Sequence, residues 1–193
     1  MKIYHGTIKQ NAENIINNGI LLSKSKESLD FGKGFYTAPD VNFAISTAYG
    51  KNKKANKNRS LDRFAGAILE FDFDINKVND IKHLSFENID IDWAQFIINN
   101  RNGYAYTDYL KSKFHNLDSK YDIVTGAIAD NRIVPLSKYL KVLNEPIKKS
   151  ELNDIIYDYE TEQISFHTLK SLDCISFSRY GIINMQKGVE WYE

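Results

Sequence analysis

From Phe64 to Phe73 the chain alternates. Ala65, Ala67, Leu69, Phe71 and Phe73 fall on one side, and Gly66, Ile68, Glu70 and Asp72 on the other. Successive side chains leave a strand on opposite faces, so this pattern demands a β-strand and with it a sheet. The acidic outer end, Glu70 and Asp72, predicts an exposed edge position. Nothing else in the chain is as regular, and the remaining elements read as short and scattered.

Those elements are mixed. Lys2–Tyr4 predicts a short strand with His5 at its end. Asn11–Asn18 predicts a helix with Ala12, Ile15 and Ile16 on one face and Gly19 as its stop. Phe35–Ala38 predicts a strand, after which Pro39 and Asp40 open a helix carrying Phe43, Ala44, Thr47 and Ala48. Asp90–Asn100 predicts a helix striped by Ile91, Ala94, Ile97 and Ile98 and widened by Trp93 and Phe96. Gly103–Tyr109 is tyrosine-rich and reads as irregular. Tyr121–Ile128, Gln163–His167 and Cys174–Phe177 predict strands, and Pro135–Leu143 and Glu151–Tyr157 predict helices. No repeat and no long linker interrupts the 193 residues, so the expectation is one strand-rich α+β domain over 1–193.

Composition excludes several classes. Apolar residues make up 42% of the chain and aromatics 13%, enough for an ordered core. The formal net charge is zero, which removes a global pull toward nucleic acid or an acidic membrane. The five positive charges in Lys51–Ser60 predict a solvated basic loop, with a nucleic-acid contact as the alternative. The single cysteine, Cys174, lies in an apolar run and reads as a buried thiol. His83, His115 and His167 show no ligand spacing, so no metal is expected. Polar residues follow Met1 at once and no run is long enough to span a bilayer, so a cytoplasmic, leaderless chain without a membrane partner is expected.

Three places carry candidate chemistry. His5 precedes Gly6 and Thr7, and its ring both donates and accepts hydrogen bonds. Asp30–Tyr49 sets Gly32 and Gly34 around Lys33, then Phe35 and Tyr36, then a helix ending near Tyr49. A close backbone approach beside aromatic rings suits a flat ligand. Later, Glu162-Gln163-Ile164-Ser165-Phe166 alternates so that Ile164 and Phe166 face the core and Gln163 and Ser165 face away from it.

Together these motifs resemble the ADP-ribosyltransferase superfamily, in its branch with a His-Tyr-Glu triad. The chain is most similar there to an uncharacterised bacterial family of ADP-ribosyltransferase-like domains. The motifs are His5-Gly6-Thr7, the run DFGKGFY from Asp30 to Tyr36, Trp93 to Phe96, Tyr121 to Gly126, and Gln163 to Phe166. The resemblance implies two small mixed sheets with a cleft between them and flanking helices, and NAD as co-substrate. It implies that His5 bonds a ribose hydroxyl, that the backbone of Gly6 holds the nicotinamide amide, and that Thr7 shapes that edge. Tyr36 would stack on the nicotinamide, with Tyr49, Phe43 or Phe35 as the opposing ring.

The third triad position departs from the branch, whose glutamate stabilises the cation that forms as nicotinamide leaves. Here it is Gln163, neutral, with Glu162 as the neighbouring rival. The resemblance thus implies transfer of ADP-ribose to a macromolecular acceptor, protein or nucleic acid, in a bacterial toxin or phage-defence setting that includes an antitoxin. The alternatives are an inactive module with an NAD-shaped cleft, and a 2′-phosphotransferase acting on RNA ends.

Overall fold

A computed structural model of the chain describes residues 1–57, 65–129, 145–148, 150, 161–184 and 188–193. The helices expected at Pro135–Leu143 and Glu151–Tyr157 lie outside these residues. The fold is α+β, with two small sheets and several helices. Contacts divide it into two units, each assembled from separate stretches. The first holds Met1–Leu21, Tyr36–Asn79 and Leu172–Glu193, and the second Leu22–Phe35 and Asp80–Ser171.

The first unit is built on an antiparallel sheet of β1 (Lys2–Ile8), β3 (Gly66–Phe73), β7 (Ile175–Asn184) and β8 (Gly188–Tyr192), in the order β1-β3-β7-β8. The alternating stretch, β3, is therefore an interior strand and not an edge. Glu70 is 2% exposed. Its carboxylate accepts from Lys2 Nζ at 3.0 Å, from Arg179 Nε at 3.0 Å and Nη2 at 2.9 Å, and from Ser178 Oγ at 3.2 Å. The register shifts at Glu70/Phe71, opposite Arg179 and Phe177, so Ser178 is the extra residue of a bulge. The bulge turns both Ser178 and Arg179 toward the carboxylate. Burial pushes the Glu70 carboxyl up, but the bonds from Lys2 and Arg179 outweigh it and hold it below the ordinary value. Alternation reported an acidic face; it could not report cations waiting at the two ends of the chain.

β1 runs to Ile8, so His5 sits in mid-strand, and α1 (Lys9–Asn18) follows directly. α1 ends at Gly19, whose φ of 76° suits glycine and whose N–H donates to Ile15 O. The tail forms β8, and the strand expected at Cys174–Phe177 extends to Asn184. α2 (Val41–Asn56) is capped by Asp40, which accepts from Asn42 N at 2.8 Å. It continues through Asn56, so the first half of the expected basic loop is helix; lysine and alanine are good helix formers. Residues 58–60 of that loop, Arg59 among them, lie outside the described residues.

Ala44 and Ala48 of α2 are buried with Ile68 in a cluster edged by Tyr4, Ile45, Ile183, Val189 and Trp191. The small alanines bring the helix very close to β1. A Cβ added at Gly6 would stand 2.0 Å from Ala44 O. Gly6→Ala is therefore expected to push α2 off the sheet and to destabilise by about 1–3 kcal/mol. Chemical denaturation checks this, and an unchanged midpoint would contradict the packing described.

The second sheet has the order β2-β6-β5-β4, with β2 (Phe35–Thr37), β6 (Glu162–Phe166), β5 (Ile123–Ala127) and β4 (His83–Ser85). Phe35 belongs to the second unit, and from Tyr36 the chain belongs to the first. β5 pairs antiparallel with β6 and parallel with β4. α3 (Ile91–Asn102) starts at Asp90, which caps Trp93 N at 3.0 Å, and Trp93 Nε1 donates to Ala127 O. The stretch that read as irregular forms α4 (Tyr104–Leu110), because Tyr106 is buried and donates to Glu145 O. A short helix, α5 (Leu169–Leu172), follows β6.

Candidate functional site

In the first unit the site begins at β1. Tyr4 and Ala38 exchange backbone hydrogen bonds of 2.8 and 2.9 Å, which fixes the segment after Phe35 alongside the strand. His5 Nδ1 lies 2.6 Å from Tyr36 O. A carbonyl only accepts, so Nδ1 carries the proton and donates. Burial pushes His5 down to about 3, helped by the Lys51 ammonium and opposed by the bond to Tyr36 O. The ring is thus neutral near pH 7, and Nε2 is a lone-pair acceptor. Lys51 reaches back from α2 to donate to Gly6 O at 2.6 Å, placing a cation at this strand edge.

The same stretch of chain is bolted differently in the second unit. Phe31 is fully buried and stacks on Phe86 with centroids 6.1 Å apart, beside Phe96 at 6.2 Å. Gly32 has φ 89°, and an added Cβ would meet Asn116 O at 2.8 Å. A Cβ on Gly34 would meet His167 Nδ1 at 2.7 Å and Phe166 O at 2.8 Å. The glycines around Lys33 therefore bring the backbone onto protein, on β6 and the Asn116 loop. Asp30 accepts from Arg101 Nε at 2.9 Å and Nη2 at 2.6 Å, from Ala129 N at 3.2 Å, and from Gln163 Nε2 at 3.0 Å.

His167, 4% exposed, adds a second imidazole whose value is pushed down. Its Nδ1 donates to Lys33 O at 2.9 Å, and Nε2 lies 2.8 Å from Ser165 Oγ. Burial pushes it down to about 4, against the bond to Lys33 O and the charge of Asp122. Both histidines fold neutral from an ordinary value of 6.5. Below that value the unfolded chain takes up protons that the folded chain refuses, so stability falls as pH drops from 6.5 toward the folded values. The melting temperature is expected to decline over this acid range, and His167→Gln is expected to decline less steeply. Parallel curves for variant and wild type would contradict a neutral buried His167.

The sequence-predicted residues fall into two groups. His5, Gly6, Thr7, Tyr36 and Tyr49 are in the first unit, and Phe35, Glu162 and Gln163 in the second. His5 and Tyr36 meet through the ring-to-carbonyl bond. Thr7 is 2% exposed and accepts from Asn11 Nδ2, Phe35 is 7% exposed, and Tyr49 on α2 is 43% exposed. Glu162 opens β6 exposed, whereas Gln163 is buried; Ser165 is fully buried as well, so both faces of β6 are covered. Lys51, Asp30, Arg101 and His167 escaped sequence reasoning. Asp30 heads the glycine–aromatic motif and carried some signal; Arg101, at the end of α3, carried none. Among the described residues no group of histidine, cysteine, aspartate or glutamate is arranged to hold a metal ion, and no helix is long and apolar enough to cross a membrane. Cys174 is buried as a free thiol.

A model of the family described as "Protein of unknown function (DUF3990)" matches residues 1–177. The chain belongs to the DUF3990 family. That match takes in His5, the Asp30–Tyr36 run, Arg101, Gln163 and His167, so the candidate site residues lie within the DUF3990 region. No curated protein and no solved structure matches the DUF3990 chain.

Proposed function

We propose that this DUF3990 chain is an NAD-dependent ADP-ribosyltransferase with an ADP-ribosyltransferase-like fold. In this reading the bond between nicotinamide and ribose C1′ breaks, its electron pair leaves with nicotinamide, and a nucleophile of a macromolecular acceptor takes the oxocarbenium-like ribose. The observation that carries the proposal is the state of His5. A neutral imidazole whose Nδ1 is tied to Tyr36 O joins the His5-Gly6-Thr7 strand to the Tyr36 segment, the pairing of histidine and tyrosine that a nicotinamide-ribose site needs. The motif resemblance supports the same reading, with Tyr36 as the ring that stacks on nicotinamide. A toxin role with an antitoxin partner rests on the resemblance alone.

The second reading is a module that binds NAD without turning it over. It is favoured by Gln163, which brings no charge of its own and spends its amide N–H on Asp30. Binding tests what the two readings share. Millimolar NAD is expected to raise the melting temperature by mass action, and Tyr36→Ala is expected to weaken binding by about fivefold or more through loss of stacking. No shift for the wild-type protein would count against both.

A further inference from the structure

We infer that Asp30 is a positioning residue that sets the polarity of Gln163, so that the side chain presents its carbonyl oxygen to a ligand donor group. This rests on the transferase reading for the identity of that ligand, a ribose hydroxyl. A glutamine amide has one accepting and one donating end, and only its partners decide which end points where. Here Nε2 donates to Asp30 Oδ2 at 3.0 Å. Asp30 accepts from Nε and Nη2 of Arg101 at Oδ1 and from Ala129 N at Oδ2, so the oxygen facing Gln163 already acts as an acceptor. Among the described residues Oε1 has no protein partner, and it is not among the buried unsatisfied atoms. It is therefore the end left without a partner among the described residues, on a side chain that is 7% exposed.

The arrangement gives Gln163 the hydrogen-bonding sense of the glutamate it stands in for, with the carboxylate moved to residue 30. It also changes the meaning of restoring that glutamate. Gln163→Glu would set two carboxylates about 3 Å apart, where both cannot comfortably stay ionised. The variant loses a bond and gains a repulsion. A glutamine here is the complement of Asp30, not a decayed catalytic group.

The test is a cycle of Asp30→Asn, Gln163→Glu and the double variant, read by melting temperature at pH 7 and by NAD affinity. Gln163→Glu alone is expected to lower the melting temperature by roughly 4–8 °C. The double variant is expected to recover at least half of that, since the new amide at residue 30 donates to the new carboxylate. Asp30→Asn alone allows Gln163 to flip and present Nε2 instead, and NAD affinity is expected to fall about tenfold. In the double variant affinity is expected to return. A double variant no more stable than Gln163→Glu would overturn the polarity assignment. So would full NAD affinity in Asp30→Asn. If the wild-type protein binds no NAD, the transferase reading fails, and the thermal cycle alone still decides the pairing of Asp30 with Gln163.

Discussion

Replacing Phe31 by alanine is expected to destabilise the protein by about 3–5 kcal/mol, the range for deleting a buried aromatic ring. The ring is fully buried, stacked on Phe86 and tilted on Phe96, and those two rings lie 5.2 Å apart with Phe114 at 5.1 Å from Phe96. The loss also releases the segment that carries Asp30 on one side and Gly32 on the other. Phe31→Leu, which keeps most of the volume, is expected to cost about half as much. Denaturation midpoints for the two variants check the ordering. Equal, small effects would mean that the DFGKG segment is held by Asp30 and the glycine contacts alone.

His5 carries the second large effect. His5→Asn places an amide N–H where Nδ1–H stood, toward Tyr36 O, and removes the Nε2 acceptor. Stability is expected to change little, and nicotinamide release is expected to fall by at least about a hundredfold, the scale for losing one oriented polar group at a reacting centre. Because His5 is pushed down to about 3, release is also expected to show no inflection near the ordinary histidine value of 6.5 from this residue. An inflection there that disappears in His5→Asn would place the proton wrongly.

Local patterns carried the local structure. The caps Asp40 and Asp90, the stop at Gly19 and the strands around Phe71 and Val124 follow from period and capping chemistry that neighbours in sequence supply. What alternation could not see is pairing at long range. β3 read as an edge because Lys2 and Arg179, which neutralise Glu70, lie at the two ends of the chain. Gln163 read as facing away from the core for the same reason, since its partner Asp30 is 133 residues distant. The glycines of the DFGKG run were legible as sites of close approach, but composition does not say whether the approaching surface is a ligand or β6. α4 was hidden because its anchor, the Tyr106 bond to Glu145 O, is tertiary.

The most direct test of the transferase account is incubation of the wild-type protein with NAD labelled in the adenine-ribose half, together with a cell lysate, and measurement of free nicotinamide and of label in macromolecules. The account predicts nicotinamide release that depends on His5 and label that becomes macromolecular in step with it. Tight NAD binding with neither release nor labelling would contradict the enzyme and leave the binding module in its place.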